Sequence, residues 1–265
     1  MILFIKRIIN KIIYNLLMKF YSAHAEKLIY QTKYNFSIYV LPEKLWDIIK
    51  WDESCDAEPI MDYMVSEEVA GNVFVDIGAN IGIVSTFAAN RFKKVYSFEP
   101  VTDNLKYFRN NIKLNGVTNV SIFDYCVSDT NGNVELYLRE QFGHHGLTPA
   151  HESATNDILM VKSVTLDTFM AEKKIVSIDV LKIDVEGAER LVFEGARQAL
   201  TQGSIEMIIF EYQPKQLSHV DLKFIVNTLT SAGYHLFNTD NVPVDLDLIV
   251  SEGYGDYIAK RKQKC

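Results

Sequence analysis

Eight consecutive residues, Val75-Asp76-Ile77-Gly78-Ala79-Asn80-Ile81-Gly82, carry the densest chemical signal in the chain. They continue a short apolar run, VFVDI at 73–77, and lead into IVSTFAANRF at 83–92, which has helical spacing. Glycines between a strand and a helix let the chain turn sharply and let a ligand approach the backbone. A dinucleotide fingerprint G-x-G-x-x-G starting at Gly78 would need glycine at 80 and 83. Asn80 and Ile83 stand there, so the pattern is D-x-G-x-N-x-G with an acid inside the strand. Glu99 closes the next apolar run, VYSFE at 95–99, 21 residues after Gly78. A carboxylate at that separation can accept both hydroxyls of a nucleoside ribose. Taken alone, Glu99 would read as a solvated strand end; beside the glycine turn it reads as a ribose acid.

The elements that must hold these residues follow from the hydrophobic pattern. Residues 27–41 give two β-rich runs separated by a turn, closed by Pro42, and 56–69 a short helix. From 73 onward strands and helices alternate: strands at 73–77, 95–99, 119–125, 178–184 and 205–212, helices at 83–92, 103–116, 188–200 and 215–233. Runs at 133–139 and 159–164 form a pair beside this alternation, and 234–239 and 254–261 are closing strands. Such alternation predicts an α/β fold, a doubly wound, mostly parallel sheet with helices on both faces. The last two strands, outside the alternation, suit an antiparallel edge. Residues 143–157 have no pattern and suit a lid or binding loop.

The turn and the acid together resemble class I methyltransferases that use S-adenosylmethionine. More narrowly, VFVDIGANIG at 73–82, YSFEP at 96–100, SVTLDTF at 163–169 and LKIDVEGAE at 181–189 resemble the FkbM family of methyltransferases. The resemblance covers roughly residues 70–240 and leaves 1–69 outside. It implies a seven-stranded, doubly wound Rossmann-like fold and methyl transfer to hydroxyls of sugars or of polyketide-type natural products; the acceptor expected here is a hydroxyl of a sugar, glycan or glycolipid precursor. Carried over, Asp76, Gly78, Asn80 and Gly82 would line the methionine and ribose side of S-adenosylmethionine, and Glu99 would hold the ribose. Cys126 and Val127, within Asp124–Asp129, would flank adenine, and Asp184 would sit where cofactor and acceptor meet.

Attack of a hydroxyl on a methyl group requires loss of a proton, and a placed base typically contributes about 10²–10⁴-fold. Asp184 or Glu186 is expected to be that base, and His145, beside His144 in the patternless segment, is a further candidate as base or acceptor clamp. Two other readings stay open. Glu186 and Glu189 suit the capping of a helix starting near Gly187. Asp184, Glu186 and Glu211 are hard oxygen ligands that suit a divalent ion, though no metal ligand is assigned. A nicotinamide-dependent oxidoreductase would share the sheet, turn and ribose acid, but the failed fingerprint counts against it. A non-catalytic methyltransferase-like partner subunit is the other alternative.

Composition sets the outer bounds. The 265 residues are 48% hydrophobic and 23% charged, the balance of a folded protein. The net charge of −7 hides a segregation: Lys6, Arg7, Lys11 and Lys19 lie in the first 25 residues, which hold no acid. The rest has no basic patch, so a nucleic-acid partner is not expected. Residues 1–25 place Ile5, Ile9, Ile12, Leu16 and Phe20 on one helical stripe opposite basic residues. That helix suits the surface of an anionic membrane and suits equally well packing on its own domain. The expected organisation is therefore a basic amphipathic helix at 1–25, a β/α appendage at 26–69 and a methyltransferase domain at 70–265. Three scattered cysteines, Cys55, Cys126 and Cys265, suit a reducing compartment. Together these point to a cytoplasmic protein, peripheral at the inner membrane face if the helix meets the membrane rather than its own domain.

Overall fold

The computed structural model describes residues 28–40, 59–139, 147 and 154–261. The expected basic helix at 1–25 and His145 lie outside the described residues. The described residues open with the expected hairpin, β1 (Leu28–Gln31) antiparallel to β2 (Ser37–Val40), and the next described element is α1 (Pro59–Ser66). The alternation then runs β3 (Gly71–Ile77), α2 (Ile83–Ala88), β4 (Phe92–Phe98), α3 (Thr102–Leu114) and β5 (Val120–Phe123). Next come β6 (Cys126–Val127), β7 (Gly132–Arg139), β8 (Ala154–Val164) and α4 (Leu166–Lys173). The alternation resumes with β9 (Ile178–Ile183), α5 (Glu189–Gly195), α6 (Arg197–Gln202), β10 (Ile205–Tyr212) and α7 (His219–Ser231). The described chain ends with β11 (Tyr234–Asn238), α8 (Leu246–Glu252) and β12 (Gly255–Arg261).

The seven-stranded central sheet has the order β11-β12-β10-β9-β3-β4-β5. The five strands from β10 to β5 are parallel, while β12 runs antiparallel between β10 and β11. Strands such as VLKI and MIIF can be so apolar because both faces are covered. On one face lie the hairpin, α1 and α2, through Ile38, Met61, Met64, Val84 and Phe87. On the other lie α4, α5 and α7, through Phe169, Val192, Phe193, Ile225 and Leu229. A small sheet of order β6-β8-β7 stands beside the main one, with Glu135 opposite Met160.

Several boundaries differ from the spacing. The helix at 83–92 stops at Ala88, because Phe92 already belongs to β4. The helix at 188–200 breaks at Ala196 into α5 and α6. The helix at 215–233 starts only at His219, where the Ser218 hydroxyl accepts the Asp221 N–H. The patternless segment gives its last residues to β8, which extends back to Ala154 against β7. Two helices have no counterpart in the pattern, yet each carries an N-cap signature. Thr165 accepts the Thr168 N–H at the start of α4, and Asp245 the Leu248 N–H at the start of α8.

The inner face of α3 ties the hairpin to the glycine turn. Asn111, fully buried, donates from Nδ2 to the Ile81 carbonyl at 2.9 Å, and its Oδ1 accepts the Tyr39 N–H at 2.7 Å. Asn115 accepts the Ser37 N–H at 2.8 Å and donates to the Ser37 carbonyl at 2.7 Å. Side-chain amides thus satisfy backbone groups that the outer edge of β2 would leave unpaired. Replacing Asn111→Leu keeps the number of side-chain heavy atoms but strands a part-buried N–H and a part-buried carbonyl. We expect a loss of about 1–3 kcal/mol in urea unfolding, with faster amide exchange in residues 78–82; unchanged exchange there would show that the turn stands without this tether.

Candidate active site

A row of polar side chains crosses the middle of the apolar sheet. In register, Ser97 of β4 lies beside Asp76 of β3, and Asp76 beside Lys182 of β9. Ile122 and Ile209 flank the row in β5 and β10. All three polar residues are buried. The Ser85 hydroxyl, from α2, bonds Asp76 Oδ2 at 2.5 Å and the Ser97 hydroxyl at 2.7 Å. Lys182 Nζ lies 3.4 Å from Asp76 Oδ1 and 3.1 Å from Asp184 Oδ2, and donates to the Gly78 carbonyl at 3.0 Å. A single ammonium therefore fastens the glycine turn to the end of β9. The two segments touch: the Asp184 N–H reaches the Ile77 carbonyl at 3.1 Å, and a Cβ on Gly78 (φ +81°) would run into the Asp184 carbonyl.

Above this row, at the carboxyl ends of β3, β4 and β9, opens a cavity. Of the site residues expected from the sequence, Gly78, Asn80, Glu99, Cys126, Val127, Asp184 and Glu186 line it. Asp76 and Gly82 do not. Asp76 has no exposure and faces Ser85 and Lys182 beneath the turn, so it supports the turn rather than touching a ligand. Gly82 (φ +81°) precedes α2, where a Cβ would strike the Phe108 ring; its role is close packing of α3. Val101, Asn104, Leu136 and Leu147, which carry no signal in the motifs, also line the wall.

Glu99 directly follows β4, with 5% exposure. Its Oε1 accepts the Val101 N–H at 2.9 Å and the Asn104 amide at 3.2 Å; its Oε2 accepts the Asn80 N–H at 2.9 Å. Burial raises its pKa above the ordinary value, and these donors work against that rise. The Asp184–Gly187 loop bends through Glu186 at φ 57° and Gly187 at φ 98°. Glu189, also buried, fixes the loop by accepting the Val185 and Gly187 N–H groups at 3.1 and 3.2 Å, and burial pushes its pKa up to about 7. The Gln216 amide holds Glu186 Oε2 at 2.5 Å.

Beyond the loop the site is acidic. Glu211 of β10 stands directly opposite Asp256 of β12. Burial, then Asp184, Glu186 and Asp256, hold Glu211 well above the carboxylate range. Burial, then Asp184, push Asp256 up to about 7 against the pull of Lys182. These acids do not form a metal-binding group: among the described residues no three or more His, Cys, Asp or Glu side chains are grouped to hold an ion. Nor is any helix of those residues long and apolar enough to cross a membrane.

Residues 76–236 match the methyltransferase FkbM domain. The chain belongs to that family and is a methyltransferase by family. The hexuronic acid methyltransferase AglP of Haloferax volcanii is 23% identical over 175 residues, 66% of this chain and 68% of that protein. A crystal structure of a methyltransferase FkbM from Methylobacillus flagellatus KT is 16% identical, with a TM-score of 0.48, over 83% of this chain. The alignment takes in 54% of that protein, so the chain spans about half its length. The precorrin-6y C5,15-methyltransferase of Geobacter metallireducens GS-15 is 13% identical, with a TM-score of 0.44, over 80% of this chain and 95% of its own.

Removing one partner of a buried ion pair leaves the other charge unsolvated, at a cost of about 3–5 kcal/mol. Lys182→Met is expected to lose about that much in guanidinium unfolding, and adding Asp76→Asn should restore part of it. A double variant no more stable than the single one would show that Asp76 does not depend on the ammonium.

The raised carboxyl groups set the pH dependence. Glu189 and Asp256 titrate near 7 in the fold, against about 4 in an unfolded chain. Protonation therefore favours the folded state, and the contribution is complete below pH about 4 and lost as pH rises through 7. Asp221 acts the other way, and only at lower pH: its burial is outweighed by Ser218 and Arg190, which hold it below the ordinary value. With Glu211, also raised, adding to the same trend, the melting temperature is expected to fall between pH 5 and 8, and Glu189→Gln to flatten that slope by about a third. A flat profile in the parent protein would contradict this assignment.

Proposed function

We propose that the chain is an S-adenosylmethionine-dependent O-methyltransferase acting on a hydroxyl of a sugar, glycan or glycolipid precursor. The observation that carries the reading is Glu99, buried at the end of β4 beside the glycine turn, with part of its Oε2 still free to accept. The apolar side of the cavity, where Val127, Leu136 and Leu147 stand next to Cys126, offers a slot for a flat adenine ring. S-adenosylmethionine, when bound, supplies a methyl group on a positively charged sulfur. The residues of the chain do the rest. Gly78 and Asn80 give the ligand close access to the backbone. Asp184 and Glu186, on the same wall, are placed to take the proton of the attacking hydroxyl. Holding nucleophile and methyl in line contributes as much or more than proton removal.

The acid side of the site narrows the acceptor. By like-charge repulsion Asp184, Glu186 and Asp256 raise the proton affinity of Glu211, and Asp184 raises that of Asp256. A carboxylate on the acceptor would add to that repulsion, whereas neutral hydroxyls can donate to these oxygens. The sugar is therefore read as neutral or cationic, in contrast to the hexuronic acid for which the Haloferax protein is named.

Calorimetric titration with S-adenosylmethionine, S-adenosylhomocysteine and NADH tests the cofactor. Binding of the two sulfur ligands and not NADH, weakened at least tenfold in Glu99→Ala, is expected. NADH binding alone would replace the reading with hydride chemistry. Methyl transfer from labelled S-adenosylmethionine to paired neutral and uronate glycosides then tests the acceptor, with the neutral member expected to be the better one.

A further inference from the structure

Glu99 has less capacity for a ribose than its position promises. A carboxylate offers about four acceptor sites. Three are filled from within the fold, by the N–H groups of Val101 and Asn80 and by the Asn104 amide. One site on Oε2 remains, and a ribose diol brings two donors. The second acceptor stands next to it. Asn104 lies in the first turn of α3, with 3% exposure, and rests on the same carboxylate at 3.2 Å. A carboxylate only accepts, so the amide must turn Nδ2 toward Glu99, which fixes where Oδ1 goes. That oxygen is buried without a hydrogen-bond partner among the described residues, in a side chain that lines the cavity. Buried carbonyl oxygens left unpaired are costly and uncommon, so a partner absent from the protein itself is implied. Asn80 Oδ1 is unpaired in the same wall, but Asn80 meets Glu99 through its backbone.

We propose that Asn104 is a cofactor-binding residue: Asn104 Oδ1 accepts one ribose hydroxyl of the adenosyl ligand while Glu99 Oε2 accepts the other. The assignment rests on the adenosyl reading of the cavity. It changes the meaning of the acid at the end of β4. The ribose grip is a carboxylate–amide pair, and α3 contributes to the ligand directly as well as to the turn.

The test is a cycle of calorimetric titrations with S-adenosylhomocysteine and its 2′-deoxy and 3′-deoxy analogues, on the parent protein, Asn104→Ala and Asn80→Ala. In the parent, each missing hydroxyl should weaken binding by about three- to tenfold. In Asn104→Ala one of the two penalties should vanish and the other persist; in Asn80→Ala both should persist. Two undiminished penalties in Asn104→Ala would reduce Asn104 to a prop for Glu99 and overturn the proposal, as would a penalty that vanishes in Asn80→Ala instead. Failure of the parent protein to bind S-adenosylhomocysteine would remove the adenosyl reading, and this one with it. Should Asn104→Ala not fold, a crystal structure of the parent with S-adenosylhomocysteine decides. Oδ1 within about 3.2 Å of a ribose hydroxyl supports the assignment; both hydroxyls on Glu99, with Oδ1 on water, ends it.

Discussion

The site depends on one buried ammonium. Lys182 Nζ touches Asp76, Asp184 and the Gly78 carbonyl, so it joins the body of β3, the tip of β9 and the turn between β3 and α2. A charge in the middle of a sheet is expensive in isolation. Here the cost is offset by two carboxylates and by Ser85, itself bonded to Ser97, which donates to Asp76 from its other side. What results is positional. The turn between β3 and α2 and the acid at the end of β9 are held to the same atom, so neither moves without the other. A hydrophobic replacement of the row would leave the sheet intact and free the two loops.

The second constraint is α3. Its buried face carries Asn104, Leu105, Phe108 and Asn111, one stripe on successive turns. Asn104 meets Glu99, the Phe108 ring fills the space that a side chain on Gly82 would need, and Asn111 meets the Ile81 carbonyl. From one end to the other the helix follows the course of the turn, and at its far end Asn111 and Asn115 pin the hairpin. The hairpin lies outside the matched family residues 76–236, yet through Asn111 it is two hydrogen bonds from the glycine turn.

Much of this was legible in the residues themselves, and the failures have physical causes. Strand and helix order follows from hydrophobic period, and the antiparallel edge from two strands that fall outside the alternation. Gly78, Asn80, Glu99, Asp184 and Glu186 share one cavity wall because glycine turns and strand-end acids have few other uses together. Asp76 and Gly82 belong to the same motif but serve the fold. Residue type cannot separate a group that touches a ligand from one that supports the group that does. Lys182 did leave a signal, since a lysine in the run IDVLKID, where neighbours are buried on both faces, needs a partner in the core. Asn104 and Asn111 left the same kind of signal, as polar residues on the apolar stripe of α3. The break at Ala196 left none. Alanine favours helix, and the adjoining Gly195 is required where the Ser128 carbonyl comes too close for a Cβ.

A group of acids stands beyond the Asp184–Gly187 loop. Glu211 and Asp256 oppose each other across β10 and β12, and Asp184 sits one strand away, with Lys182 as the countercharge beneath. Opposed carboxyl groups taken out of water cannot all be ionised, so Glu211 holds its proton at neutral pH while Asp256 stands near its midpoint. Strand register thus sets the proton affinity at this end of the sheet, and the ammonium that eases it at Asp256 is the same one that holds the turn.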